Sequence, residues 1–197
     1  MKIYDISQEV FGCRVYPGDP APQRTVLSSI DGGDPYNLTA FSMCAHNGTH
    51  IDAPLHFLQR GKAIDDMELC TFVGPSYVAE HHGKLGARDA REIVERAKTQ
   101  DASAAARILI KGDAELTEDG AEVFARAGLL LIGTESESFG PVQAPMKVHL
   151  ILLGAGIALL EGIRLGAVCE GTYLLCAAPL NLSGAEGSPC RAILIDE

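Results

Sequence analysis

Hydrophobic and polar residues follow two different periods along this chain, which predicts a mixture of strands and helices. Short apolar stretches bounded by turn residues predict strands at 2–6, 37–45, 106–112, 129–136, 157–163, 172–180 and 190–196. Helical spacing predicts a helix over 87–100 and another that begins at a Thr117 cap and ends at Gly128. A loop with Pro141 and Pro145 leads into a strongly apolar segment, 147–156, to which the pattern assigns no element.

This alternation of strands and helices favours a mixed α/β fold. The 197 residues are enough to bury a substantial core, and the chain contains no internal repeat, linker or low-complexity tract. The pattern therefore predicts one α/β domain with a mixed sheet over residues 1–197.

Composition excludes several classes of partner. The net charge of -10 disfavours binding to nucleic acid or to anionic membranes, because neutralising phosphates requires clustered Lys and Arg. The longest apolar run, 150–160, is too short to span a bilayer, and the first ten residues do not resemble a leader peptide. The six cysteines form no C-x-x-C pair and are expected to be mostly small buried residues. We expect a cytoplasmic protein that acts on a small molecule.

The segment HNGTHIDAPLH, from His46 to His56, concentrates side chains that bind metal. In a helix, His50 would lie above His46 but Asp52 would point to the opposite side. In an extended segment, His46, His50 and Asp52 all share one face, and the thiol of Cys44 would face the same side. Gly48 and Pro54 argue against a helix, so we favour the extended form.

Imidazoles and a carboxylate at this spacing suit zinc, manganese or iron. A site of His46, His50 and Asp52 could be complete with one ion, so a second ion needs separate evidence. His149 and Glu161 could supply it, because each is a polar residue in the most apolar part of the chain. An exposed strand end is the alternative for Glu161. His81 and His82 lie in a glycine-flanked polar stretch and are not expected to bind metal.

Several motifs together resemble the cyclase family of metal-dependent hydrolases, which includes bacterial kynurenine formamidases (arylformamidases) and isatin hydrolases. HNGTHIDAPLHF is similar to the His-x-Gly-Thr-His-x-Asp-x-Pro-x-His-Phe signature of that family. VYPGDP resembles its Pro-Gly-Asp turn, VHLILLGAGIALLEGI its second ligand segment, and YLLCAAPLNLSGAEGSPCRAIL its C-terminal region. The resemblance extends over nearly the whole chain, although 60–130 carries no diagnostic motif.

The resemblance implies a role for each matching residue. His46, His50 and Asp52 match the first ligand cluster, His149 matches a ligand of a second ion, and Glu161 matches a carboxylate that, like Asp52, touches both ions. His56 matches the general acid/base. The family's formamidases carry a tryptophan near the Pro-Gly-Asp turn, where this chain has Tyr16, and the chain contains no tryptophan.

The resemblance also implies a swivelling β/β/α-like fold, two divalent ions with zinc preferred, and a homo-oligomer, either a dimer or a tetramer. The leading hypothesis is a hydrolase that uses metal-bound hydroxide to cleave a formamide or cyclic amide C–N bond. Hydrolysis of a lactone or ester at the same site, a noncatalytic metal-binding protein and a thiol redox protein built on Cys44 are the alternatives. Ser136 and Ser138 lack a nucleophile motif and are expected to be loop hydroxyls.

Overall fold

Strands and helices alternate through most of the chain, as the apolar pattern predicts. The structure is a computed structural model that describes residues 1–141 and 144–196. Its strands are β1 (Lys2–Asp5), β2 (Gln23–Ser28), β3 (Leu38–Ser42), β4 (His50–Asp52), β5 (Val73–Glu80), β6 (Gly83–Leu85), β7 (Arg107–Lys111), β8 (Ala114–Leu116), β9 (Leu131–Thr134), β10 (Ala158–Glu161), β11 (Gly171–Cys176), β12 (Gly187–Pro189) and β13 (Ile193–Asp196). Its α-helices are α1 (Ala87–Gln100), α2 (Glu118–Ala127) and α3 (Met146–Gly154). The prediction of a single mixed α/β domain is confirmed.

One large mixed sheet organises the domain. Its strand order is β1-β13-β11-β5-β7-β9-β10-β4-β12, and the central strands β5, β7, β9 and β10 are parallel. Parallel strands with both faces covered are rich in apolar residues at successive positions. In β7, Ile108 and Ile110 pack into the core beneath the helices, whereas Leu109 packs into a second core on the opposite face. The sheet is therefore buried on both faces at its centre.

The helices cover one face of this sheet. The buried residues of α1 are Ala90, Ile93, Val94 and Ala97, whose spacing places them on one side of the helix. They share a core with residues of α2 and α3. Helix α3 packs on β10, and β4 is the next strand of the sheet. Side chains of α3 can therefore approach those of β4.

Several predicted bounds of helices and strands agree with the structure, and others differ. The α1 helix has the predicted bounds, and α2 begins after Thr117 and ends before Gly128, which adopts a left-handed φ of 76°. The predicted strand over 37–45 ends at Ser42. The apolar segment over 147–156 contains most of α3. Part of the predicted loop between Pro141 and Pro145, residues 142–143, lies outside the described residues.

The cysteines depart from expectation. Cys70 and Cys169 are exposed and the other four are partly exposed, so the expectation that the cysteines are mostly buried is wrong. All six are free thiols.

A two-stranded hairpin, β2 with β3, stands apart from the main sheet. Its apolar side chains are largely exposed, with Val26, Leu27 and Phe41 each 58 % accessible. Two-stranded hairpins are at best marginally stable alone in water, and exposed apolar patches mark contact sites. Within the described ranges, no helix combines the length and the apolar character needed to cross a membrane.

Candidate metal centre

Strand β4 presents His50 and Asp52 on the face of the sheet that α3 covers. Alternation along the strand directs Ile51 into the opposite core. The antiparallel register of β10 against β4 then places Glu161 directly across from His50. His50, Asp52 and Glu161 are each no more than 3 % exposed, so Glu161 is not the exposed strand end that was the alternative. The pairing of β10 with β4, two strands that are distant in sequence, thus brings a second carboxylate to the site.

His46 reaches the same site by a different route from the one predicted. The predicted extended form over 46–52 is wrong for its first half, because the Asn47 amide donates to the Cys44 carbonyl and closes a turn. Gly48 follows with a φ of +67°, a left-handed conformation that favours glycine. The turn carries His46 back toward Asp52, and Cys44, whose amide donates to the Asn47 side chain, is not among the residues that line the adjacent cavity.

Helix α3 contributes the third imidazole. Its side chains are apolar on nearly every side, and His149 is only 2 % exposed. His149 Nδ1 donates to the carbonyl of Pro145, one turn earlier in the chain, at 2.9 Å. This bond leaves Nε2 directed toward the carboxylates, 3.2 Å from Glu161 Oε1.

The five side chains form two groups of donor atoms that share one carboxylate. His46 Nδ1 and His50 Nε2 lie 2.9 and 3.3 Å from Asp52 Oδ1, and His149 Nε2 lies 3.7 Å from Asp52 Oδ2. His50 Nε2 is also 3.5 Å from Glu161 Oε2. The donor atoms of His46, His50 and Asp52 all lie within 4.8 Å of one another, as do those of Asp52, His149 and Glu161.

The electrostatics of the cluster favour positive charge between these carboxylates. Burial opposes protonation of His50, but hydrogen bonds and charges from Asp52 and Glu161 outweigh it and raise the pKa of His50 well above its ordinary value. Burial likewise opposes ionisation of Asp52, yet its bonds to His46 and His50 lower the pKa of that carboxyl. The Asp52 carboxylate is therefore held as an anion at a buried position.

A divalent cation fits this arrangement. Asp52 Oδ2 is buried and accepts no hydrogen bond among the described residues. A buried carboxylate oxygen without a partner costs several kcal/mol, and a bound cation removes that cost. Three imidazoles with two carboxylates are also a donor set that zinc, manganese and iron accept.

A cavity of about 270 Å³ opens onto the cluster. It is lined by Tyr16, Asp19, His46, His50, His56, Phe57, Glu137, Ser138, Pro145, His149 and Glu161. Tyr16 begins the predicted Pro-Gly-Asp turn, in which the Asp19 amide donates to the Tyr16 carbonyl at 3.1 Å. The turn thus brings Tyr16 to the wall of the same cavity as the histidines.

His56 lies beside the donor groups but belongs to neither. It ends a short 3-10 turn that begins at Pro54, and its ring stacks on His46 with centroids 4.1 Å apart. Burial and the neighbouring histidines lower the pKa of His56. Its imidazole lines the cavity and has no hydrogen-bond partner among the described residues.

Two polar residues lie beside the cluster although the sequence analysis did not place them there. Ser138 is a loop hydroxyl, as expected, and it also lines the cavity, with Oγ 3.4 Å from His149 Nε2. Glu186 precedes β12, and its carboxylate lies 3.2 Å from His46 Nε2. Glu186 lies in the C-terminal segment that resembles the family, but no spacing within that segment indicates a contact with His46.

The remaining histidines lie elsewhere. His82 pairs with Asp113 at 2.6 Å on the surface, and His81 bonds to the carbonyl of Lys84. Neither belongs to a donor group.

This chain thus combines a mixed α/β domain with two groups of imidazoles and carboxylates that could hold a divalent metal beside a cavity. The Cyclase family model matches residues 4–141, and the chain belongs to that family. Its similarity to individual proteins covers more of the chain than the family model does.

Among curated proteins, the chain is 33% identical to the kynurenine formamidase of Salinibacter ruber (strain DSM 13855 / M31), covering 100% of this chain and 98% of that protein. It is 34% identical to the kynurenine formamidase of Paracidovorax citrulli (strain AAC00-1), with coverage of 98% and 95%.

Solved structures show the same fold. One, described as a potential metal-dependent hydrolase with cyclase activity, matches with a TM-score of 0.83 at 27% identity and coverage of 100% and 98%. An isatin hydrolase bound to the product analogue thioisatinate matches with a TM-score of 0.85, 17% identity and coverage of 100% and 93%, a likeness of fold alone.

Proposed function

We propose that this chain is a metal-dependent hydrolase that cleaves a non-peptide C–N bond, with residues 1–197 acting as one hydrolase domain. The observation that carries the proposal is the pair of donor groups that share the buried Asp52, whose other members, His46, His50, His149 and Glu161, line the cavity. The similarity to kynurenine formamidases over nearly the whole chain supports an N-formyl aryl amide as the substrate class.

In this proposal the site holds two divalent ions. His46, His50 and Asp52 hold the first, and Asp52, His149 and Glu161 hold the second. Zinc is the preferred ion, and manganese or iron suits the same ligands. When bound, such ions lower the pKa of a water molecule and polarise a carbonyl group.

The residues of the chain orient the substrate and move the proton. In this proposal the aryl group lies against Tyr16 and Phe57, which line the cavity, and the formyl carbon points toward Glu161. Addition of water to that carbon and cleavage of the C–N bond yield a carboxylic acid and an amine. His56, beside the cluster and without a hydrogen-bond partner among the described residues, takes a proton during attack and gives one to the leaving nitrogen.

The site is expected to work in a homo-oligomer, a dimer or a tetramer. The exposed apolar hairpin of β2 and β3 supports this part of the proposal, because a second copy could bury it. The free thiols support a reducing compartment such as the cytoplasm. A molar mass from light scattering that equals one chain would contradict the oligomer.

The proposal is tested by measuring metal content together with hydrolysis of a small panel of substrates. We expect about two divalent ions per chain, and the highest kcat/KM for an N-formyl aryl amide rather than for isatin or a simple lactone. Preference for the lactone would indicate that the protein hydrolyses lactones or esters at the same site. Bound metal without turnover of any substrate would identify a noncatalytic metal-binding protein.

Tyr16→Trp tests the place of the substrate. Because Tyr16 has a smaller ring than tryptophan and a hydroxyl, it favours a more compact or more polar substrate than N-formylkynurenine. We expect the substitution to shift the ratio of kcat/KM values toward N-formylkynurenine and away from formanilide. The matched control is Tyr4→Trp, because Tyr4 packs on Tyr173, at a centroid distance of 5.9 Å, away from the cavity. An unchanged ratio in Tyr16→Trp would remove Tyr16 from the substrate site.

A further inference from the structure

Each imidazole of the cluster turns one nitrogen inward, and the other makes a separate contact. His50 Nδ1 donates to the carbonyl of Gly48 at 3.0 Å, and His149 Nδ1 donates to the carbonyl of Pro145 at 2.9 Å. A carbonyl oxygen only accepts hydrogen bonds, so in a neutral ring the proton resides on Nδ1. The lone pair is then on Nε2, the nitrogen that faces the carboxylates.

His46 has the opposite orientation and a different kind of partner. Its Nδ1 faces Asp52 at 2.9 Å, and its Nε2 lies 3.2 Å from Glu186 Oε1. The acceptor for Nε2, the nitrogen that points away from Asp52, is a side chain, whereas in His50 and His149 it is a backbone carbonyl. Among the described residues, Glu186 belongs to neither donor group.

We infer that Glu186 is a positioning residue for His46. Its carboxylate accepts a hydrogen bond from Nε2–H of His46, which fixes the tautomer with a lone pair on Nδ1 and orients that nitrogen toward the proposed metal. Carboxylates in this position also increase the basicity of the imidazole as a ligand. The inference rests on the proposed function, because it assumes that His46 binds metal.

Backbone hydrogen bonds hold Glu186 in place beside His46. The Glu186 carbonyl accepts from the Ala53 amide at 2.9 Å, and Gly187 pairs with Asp52 in the register of β12 with β4. A Cβ at Gly187 would lie 2.7 Å from His46 Cε1, so the glycine lets the strand approach the ring. The strand that positions Glu186 is therefore bonded directly to the strand that carries two of the proposed ligands.

The expected size of the effect follows from exposure. The Glu186 side chain is 45% accessible, and water weakens interactions of exposed charges. Loss of an outer partner of a metal-binding histidine lowers metal affinity about 10- to 100-fold. For a half-exposed carboxylate we expect the lower end, about tenfold.

The test measures zinc affinity by competition with a chromophoric chelator in the full chain. Glu186→Ala is expected to raise the zinc dissociation constant about tenfold. Glu186→Gln retains an acceptor oxygen without the charge, so it is expected to restore part of the lost affinity. Asp65→Ala is the matched control, because Asp65 accepts from the Gly184 amide in the same loop but does not contact His46. The control is expected to bind zinc with wild-type affinity.

A spectroscopic measurement tests the orientation itself. In the zinc-loaded wild-type protein, nitrogen chemical shifts of His46 are expected to show metal at Nδ1 and a proton at Nε2. Metal at Nε2 would overturn the inference, because that nitrogen could not then donate to Glu186.

The outcomes separate this inference from the proposed function. Absence of zinc binding by the wild-type chain would defeat the proposed function itself. Wild-type zinc affinity in Glu186→Ala, with normal binding by the parent chain, would overturn only the role of Glu186. Equal weakening in Asp65→Ala would assign the effect to the loop. No recovery in Glu186→Gln would show that an acceptor oxygen at this position does not orient His46. Either result would also overturn that role.

Discussion

Asp52→Ala is expected to strip most of the metal from the protein and abolish hydrolysis. Asp52 is the one residue that the two donor groups share, with its two oxygens directed to different histidines. Glu161→Ala is expected to have the same consequence for the second group. Elemental analysis of the purified variants, together with hydrolysis of an N-formyl aryl amide, checks both expectations.

Controls keep this result from being confused with unfolding. Asp52→Asn retains the volume of the side chain and removes its charge, so circular dichroism of this variant shows whether the fold survives. His81→Ala and His82→Ala are expected to keep both metal and activity, because these residues lie on a surface loop away from the site. Full metal occupancy in Glu161→Ala would remove Glu161 from the site and leave the second ion unsupported.

His56→Gln should have the next largest effect, a loss of activity without a loss of metal. His56 stacks on His46 but contributes no atom to the donor groups. A positioned acid/base contributes about 10²–10⁴-fold in rate, and the loss is expected in kcat more than in KM. Steady-state kinetics and metal analysis of the same preparation measure the two properties separately.

His82→Gln is the matched control, because it makes the same chemical change at an exposed histidine. If His56→Gln were purified without metal, His56 would be a ligand. The proton would then have to move through another residue of the cavity.

Local patterns accounted for much of the secondary structure. The bounds of α1 follow from its amphipathic spacing, which depends only on residues three and four apart. Strand β5 escaped prediction because Gly74 and Pro75 indicate a turn, although Pro75 pairs with Leu174 inside the sheet. Pairing between distant strands overrode the local signal in that segment.

The first half of the signature shows the same limit at the site. The alternation rule correctly placed His50 and Asp52 on one face, because those residues lie in β4. It failed for His46, because the turn at Cys44–Asn47 and the left-handed Gly48 interrupt the extended chain. A regular period predicts side-chain direction only while the backbone stays regular.

The amino-acid sequence by itself determined that this protein is a mixed α/β domain with a concentration of histidine and aspartate side chains, of the types that bind metal, between His46 and His56. Both features are encoded in short segments, where the order of the residues carries the signal. The sequence proposed His149 and Glu161 as further members of the site, but only the tertiary structure decided that they meet that cluster, and it alone added Glu186. Their positions depend on the register of β10 and β12 against β4 and on the packing of α3 over the sheet, which are contacts between residues far apart in the chain.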